Sequence, residues 1–135
     1  MAGVTDYVVL YDRDCGFCRW STGWLLRLDR RRALEPVAIQ DPRGEALLAD
    51  LAPAERLDSA HVVTPGGERF SAGAIAAPAL RLLPGGRPLA TLAERFPAAA
   101  ERVYRFVSGH RSSLGRLVTA GARRRADELI AARRS

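Results

Sequence analysis

Five consecutive apolar or aromatic residues, Tyr7-Val8-Val9-Leu10-Tyr11, form the first clear pattern in the chain. Bounded by the polar Asp12-Arg13-Asp14, this run predicts a strand buried on both faces. From Cys15 the period changes. Phe17, Trp20, Trp24, Leu25 and Leu28 recur at three- and four-residue steps, which predicts an amphipathic helix. Asp29-Arg30-Arg31-Arg32 closes it with cations where a helix dipole is negative. Trp20 and Trp24 share one face of that helix and are expected to pack in the core.

Val37-Ala38-Ile39 predicts a second strand, and Asp41-Pro42 then supplies an N-cap and a first-turn proline for a short helix through Leu51. Residues 53–58 read as a connector. His61-Val62-Val63-Thr64 and Glu68-Arg69-Phe70-Ser71 flank Pro65-Gly66-Gly67 and predict a β-hairpin. His61, at a strand start, is expected to be a structural histidine. Helices are predicted over 74–83, 88–96 and 98–110, and over 112–134 with interruptions at Gly115 and Gly121. The order is β-α-β-α-β-β-α plus helices. A strand-helix-strand start implies parallel pairing through a right-handed crossover.

Composition narrows the picture. The 135 residues suit a single globular domain, and the apolar share of 47% is ordinary for one. No apolar run approaches the roughly 20 residues needed to cross a bilayer. Met1–Asp6 lacks the basic and apolar regions of a signal peptide, so a cytoplasmic location is expected. All 21 basic residues are arginine, as the codon bias of a GC-rich bacterial genome would give. Schiff-base and P-loop lysines are thereby excluded. Residues 1–100 carry 12 arginines and 12 acids, while residues 101–135 carry nine arginines and three acids, so the whole +6 falls at the C-terminus. The expected division is a domain over 1–112 and a basic helical extension over 113–135. Arg123-Arg124-Arg125 and Arg133-Arg134 in that extension are expected to be a solvated helix end. Contact with nucleic acid or an anionic membrane surface is the less favoured reading.

The two cysteines, Cys15 and Cys18, sit three residues apart between strand and helix. In a cytosolic chain that placement reads as a redox dithiol. A helix N-terminus offers unpaired N–H groups and a positive dipole end, which favour the attacking thiolate. Cys18, one turn on, would be placed to resolve a mixed disulfide. Gly16 leaves the approach to Cys15 open, and Phe17 would cover the site or meet an apolar substrate. Asp14 is a candidate helix cap. Asp12 is a candidate proton acceptor for Cys18, or a partner for Arg13 or Arg19. No cofactor is expected beyond the Cys15–Cys18 disulfide itself. The partners expected are a thiol or disulfide substrate and an external electron donor. The alternative is a non-catalytic module holding a metal or iron–sulfur cluster through Cys15 and Cys18, or a partner through the basic helix. Two cysteines are only half of a four-ligand zinc site.

The order of elements is that of the thioredoxin fold: an α/β, βαβαββα core, here with additional C-terminal helices. The run VVLYDRDCGFC resembles the start of the DCC family of thiol-disulfide oxidoreductases. LEPVAIQDP, HVVTPGGERFSAGAIA and VYRFVSGHRSSLGR are similar to its second strand, its hairpin with a small-residue helix start, and its C-terminal helix. The resemblance implies that Asp14, Cys15 and Cys18 are the signature residues, with Asp12 in the same motif, and that Tyr104 and Arg111 occupy typical positions. Arg13 stands where glycine is expected and puts a cation beside Cys15. Thioredoxins place a cis-proline before the third strand, facing the dithiol; here the corresponding residue is Ser59. Arg13, Gly16, Phe17 and Ser59 are therefore the expected substrate contacts.

Overall fold

The apolar run that opens the pattern forms β1, Tyr7–Tyr11, in which every residue but Tyr7 is buried. The structure, a computed structural model, describes residues 7–30 and 32–134. The expectations for Met1–Asp6 and for Arg31 lie outside the described residues.

β1 pairs in parallel with β2, Leu34–Ala38, and antiparallel with β3, His61–Val63, which pairs antiparallel with β4, Arg69–Ser71. The sheet order is β2-β1-β3-β4. This is the α/β, thioredoxin-like arrangement, with β1 inside the sheet. Alternate side chains of β1 serve opposite faces. Val9 and Tyr11 pack with Leu26, Leu34, Val62, Leu82 and Ile130 on one side. Val8 and Leu10 pack with Val37, Ile39 and Leu48 on the other. Each such aliphatic side chain contributes roughly 1.5–3 kcal/mol of transfer free energy.

The helices are α1, Gly16–Leu28; α2, Pro42–Leu47; α3, Pro53–Leu57; α4, Ala76–Leu82; α5, Arg87–Arg95; α6, Pro97–Gly109; α7, Arg111–Leu117; and α8, Ala120–Arg134. A 3₁₀ turn, Ala72–Ile75, precedes α4. The stretch read as a connector thus contains α3. The expected interruptions at Gly115 and Gly121 fall inside helices, and the break lies between them at Val118-Thr119. The Thr119 hydroxyl accepts the Ala122 N–H (3.1 Å), which starts α8 there. In the hairpin the Gly67 N–H donates to Thr64 O (2.9 Å), and Gly67 has φ +90°, a conformation open to glycine.

The largest departure from the sequence reading is α8. Arg124 and Arg125 are exposed as expected, but the helix lies along α1 and β2, with Ala126 and Ile130 buried. Gly23 of α1 permits this approach: a Cβ there would come within 2.5 Å of the Ala126 Cβ and 2.7 Å of its Cα. At the far end Arg133 reaches the C-terminus of α1. Its Nη1 donates to Asp29 Oδ2 (2.9 Å) and Leu34 O (3.0 Å), and its Nη2 to Leu26 O (3.0 Å) and Asp29 O (3.1 Å). A cation on the last carbonyls of a helix is favoured by the dipole. Trp24, expected in the core, is instead 44% exposed, because Thr22, Gly23 and Leu26 form the inward face. It stacks edge-on against Trp20 and under Arg27.

Candidate active site

β1 ends at Tyr11, and four residues later the chain turns into α1 with Cys15 as the N-cap. Cys15 is extended (φ −98°, ψ 112°), and its sulfur accepts the Cys18 N–H at 3.2 Å. An N-cap side chain ordinarily satisfies one orphan N–H of the first turn. Here a sulfur takes that place, so Cys15 fills the role expected of Asp14. A thiolate at this position would be hydrogen-bonded by the backbone and would face the positive end of a 13-residue helix. Both cysteines are free and half-buried.

The preceding loop is braced from the turn after β2. Asp12 Oδ1 accepts from Gln40 Nε2 (2.7 Å) and from the Asp14 N–H (2.9 Å), while Gln40 Oε1 accepts from the Arg13 N–H (3.0 Å). Asp12 is therefore paired with neither Arg13 nor Arg19. Arg13 turns to Asp41 (3.2 Å), and Arg19 to Asp127 (3.4 Å). Asp14 is exposed beside Cys15.

Two clefts flank the dithiol. The first, of about 630 Å³, is lined by Cys15 with Asp12, Asp14, Gly16 and Phe17. Arg111 and Arg116 of α7 and Arg123 of α8 line it too. The second, of about 230 Å³, reaches Cys18 and is largely apolar. Leu25, Leu57, Ile75 and Val107 line it, with Ser59 and Tyr104 at its edge. Asp12, Phe17 and Arg111 border both. Cys15, Cys18, Asp12, Asp14, Gly16, Phe17 and Ser59 are thus brought together; Arg13 is not among the lining residues of either cleft.

Burial pushes the Cys18 thiol up to about 12 from an ordinary 9.0. Its side-chain hydrogen bond with Cys15 and the nearby Cys15 charge add to this, Arg111 opposes it, and Asp12 raises it further. Tyr104 is likewise raised, chiefly by burial, and its hydroxyl oxygen accepts the Ala60 N–H at 2.8 Å. That bond pins the residue next to Ser59, just before β3, where thioredoxins carry their proline. No described peptide bond is cis. His61 is structural: its Nε2 donates to Arg56 O (2.9 Å) and its Nδ1 accepts from Ser71 Oγ (2.6 Å).

Sequence reasoning did not identify Arg116 or Arg123 as parts of this site. They lie about a hundred residues from Cys15, and no local pattern marks them. Among the described residues, no group of three or more His, Cys, Asp or Glu is arranged to hold a metal ion. No helix among them is long and apolar enough to cross a membrane.

A CxxC pair at the junction of the first strand and first helix of a thioredoxin-like sheet defines the class of dithiol redox proteins. The DCC1-like thiol-disulfide oxidoreductase family matches over residues 9–117, and the chain belongs to that family. No curated protein and no solved structure matches the chain. The matched span ends at α7, so α8 and its Arg123 lie outside it.

Proposed function

We infer that the protein exchanges disulfides through its dithiol, with Cys15 as nucleophile and Cys18 as resolving thiol. The observation that carries this is the asymmetry of the pair. Cys15 lines the open cleft and accepts a backbone N–H, whereas Cys18 is held protonated by burial. The thiolate is the attacking species, so attack begins at Cys15.

The Cys15 thiolate forms a bond to one sulfur of the substrate disulfide, and the other sulfur leaves as a thiolate. Cys18 then gives up its proton, which the released thiolate can take, and attacks the Cys15 sulfur. The second substrate thiolate departs, and the Cys15–Cys18 disulfide remains. Two electrons pass to the substrate, and an external dithiol donor must return them for the next turnover. Run backwards, the same steps oxidise a client dithiol. Asp12 braces the loop and keeps a negative charge near Cys18; Ser59 and Phe17 border the path to the sulfurs.

Trapping tests the assignment. Cys18→Ser incubated with 2-hydroxyethyl disulfide accumulates a stable mixed disulfide on Cys15, while Cys15→Ser accumulates none. The unaltered protein releases two thiols and ends as an internal disulfide. Trapping on Cys18 in preference to Cys15, or no reaction in either protein, would overturn the assignment.

A further inference from the structure

We propose that the cleft in front of Cys15 selects small disulfides carrying carboxylates, and that Arg116 and Arg123 are the residues that make this selection. The proposal rests on the exchange reading given above and names the substrate class for that same site.

Three arginines, Arg111, Arg116 and Arg123, line the same cleft as Cys15. None of them forms an ion pair among the described residues, although seven other arginines do. Two carboxylates, Asp12 and Asp14, share the cleft, but they form no ion pair with these arginines and are outnumbered by them. Asp12 is hydrogen-bonded to Gln40 and the Asp14 N–H, and Asp14 is exposed. Arg123 lies directly over the entry to α1: a Cβ added to Gly16 would sit 3.4 Å from its Cδ and its Nη1. The Arg123 side chain thus packs against the first residue of α1. The helix N-terminus contributes further positive potential at the same point.

A volume of about 630 Å³ falls within the range of small-molecule sites. Guanidinium groups bind carboxylates through paired parallel hydrogen bonds. A disulfide with a carboxylate on each arm would place one sulfur at Cys15 while its acid groups meet Arg116 and Arg123. The first sulfur–sulfur bond forms at Cys15, the departing thiolate carries one carboxylate, and Cys18 completes the exchange as described.

Three model disulfides separate charge from redox chemistry: 3,3′-dithiodipropionate (anionic), 2-hydroxyethyl disulfide (neutral) and cystamine (cationic). The reduced protein is mixed with each, and oxidation of Cys15–Cys18 is timed. Every rate is divided by that of the same disulfide with free dithiothreitol, which removes differences in leaving group. At low ionic strength the normalised rate should favour the anion over the cation by about tenfold or more, as expected for charge-focused clefts. The preference should shrink as salt rises from about 0.01 to 1 M. Arg116→Glu, at an exposed position, should lower the ratio several-fold and Arg123→Ala should lower it too. Arg87→Glu, with the same change in net charge but on α5, should leave most of the ratio intact. Equal normalised rates for the three disulfides, or equal effects of Arg116→Glu and Arg87→Glu, would overturn the selection while leaving dithiol exchange standing. Failure of the neutral disulfide to oxidise the protein would instead remove the exchange reading itself.

Discussion

The Cys18 N–H donates to the Cys15 sulfur across 3.2 Å, so the turn that separates the two thiols also couples them. The first sulfur lines the open cleft, while burial keeps the proton on the second. With limiting iodoacetamide near neutral pH, the reduced protein should therefore be alkylated on Cys15 at least about tenfold faster than on Cys18, since the thiolate is the reactive form. Peptide mapping by mass spectrometry reads the ratio directly, and preferential labelling of Cys18 would contradict this geometry.

The titration of Cys18 gives a second expectation. Burial is the largest cause of its rise from 9.0 to about 12, so the rise should persist in Cys15→Ser. Thiolate absorbance in that variant should give a midpoint above 9. A group whose pKa is raised on folding contributes stability that is full below its unfolded value and lost as pH climbs through its folded value. The reduced protein should accordingly lose stability progressively between about pH 9 and 12, as followed by denaturant midpoints. Flat stability across that window would show that Cys18 is solvated.

Asp12 ties the motif loop to Gln40, and two variants separate its bonds from its charge. Asp12→Ala removes two accepted hydrogen bonds and should cost about 1–3 kcal/mol in chemical denaturation. Asp12→Asn keeps an acceptor oxygen but no charge. It should retain most of the stability and lower the Cys18 midpoint, because the carboxylate helps to hold that thiol protonated. An unchanged midpoint in Asp12→Asn would show that the charge does not reach the sulfur.

Asp29 has a fully buried side chain, and Arg133 beside it is 11% exposed. Removing the cation alone leaves the carboxylate uncompensated, which costs roughly 3–5 kcal/mol for a buried pair. Arg133→Met should therefore be strongly destabilising, and Asp29→Asn in the same chain should recover part of the loss. Additive losses in the double variant would show that the two side chains are not coupled.

Gly23→Ala tests the seat of α8. Its added methyl would overlap the Ala126 backbone, and overpacking of this kind costs typically 1–3 kcal/mol. A neutral effect on the unfolding midpoint would mean that α8 rides further from α1 than described.

Much of this architecture is legible in the residues, and the parts that are not have local causes. The run Tyr7–Tyr11, the thiol spacing and the hairpin around Pro65-Gly66-Gly67 carry patterns that no tertiary contact overrides. The apolar pattern of Val37-Ala38-Ile39 marks only part of β2, which starts at Leu34 and includes Glu35 and Pro36. Among the described residues it is an edge strand paired with β1 alone, and an edge tolerates a proline whose missing N–H would have faced outward. Gly115 and Gly121 suggest breaks in the last helices, but the capping hydroxyl of Thr119 sets the break between them. The helical spacing of Trp24 resembles that of a buried aromatic, yet the inward face is set by Gly23 and its close approach to Ala126. The cationic wall is the least readable feature. Arg111, Arg116 and Arg123 line the cleft of Cys15 only after α7 and α8 fold back, and no periodicity records a long-range return of the chain.

One helix grips the dithiol helix at both poles, with Arg123 beside Gly16 at one end and Arg133 on the final carbonyls at the other. At about 1.5 Å per residue, thirteen residues put these grips roughly 20 Å apart. α8 therefore spans the dithiol helix from end to end, so the element that closes its last carbonyls also sets a cation in the cleft of Cys15.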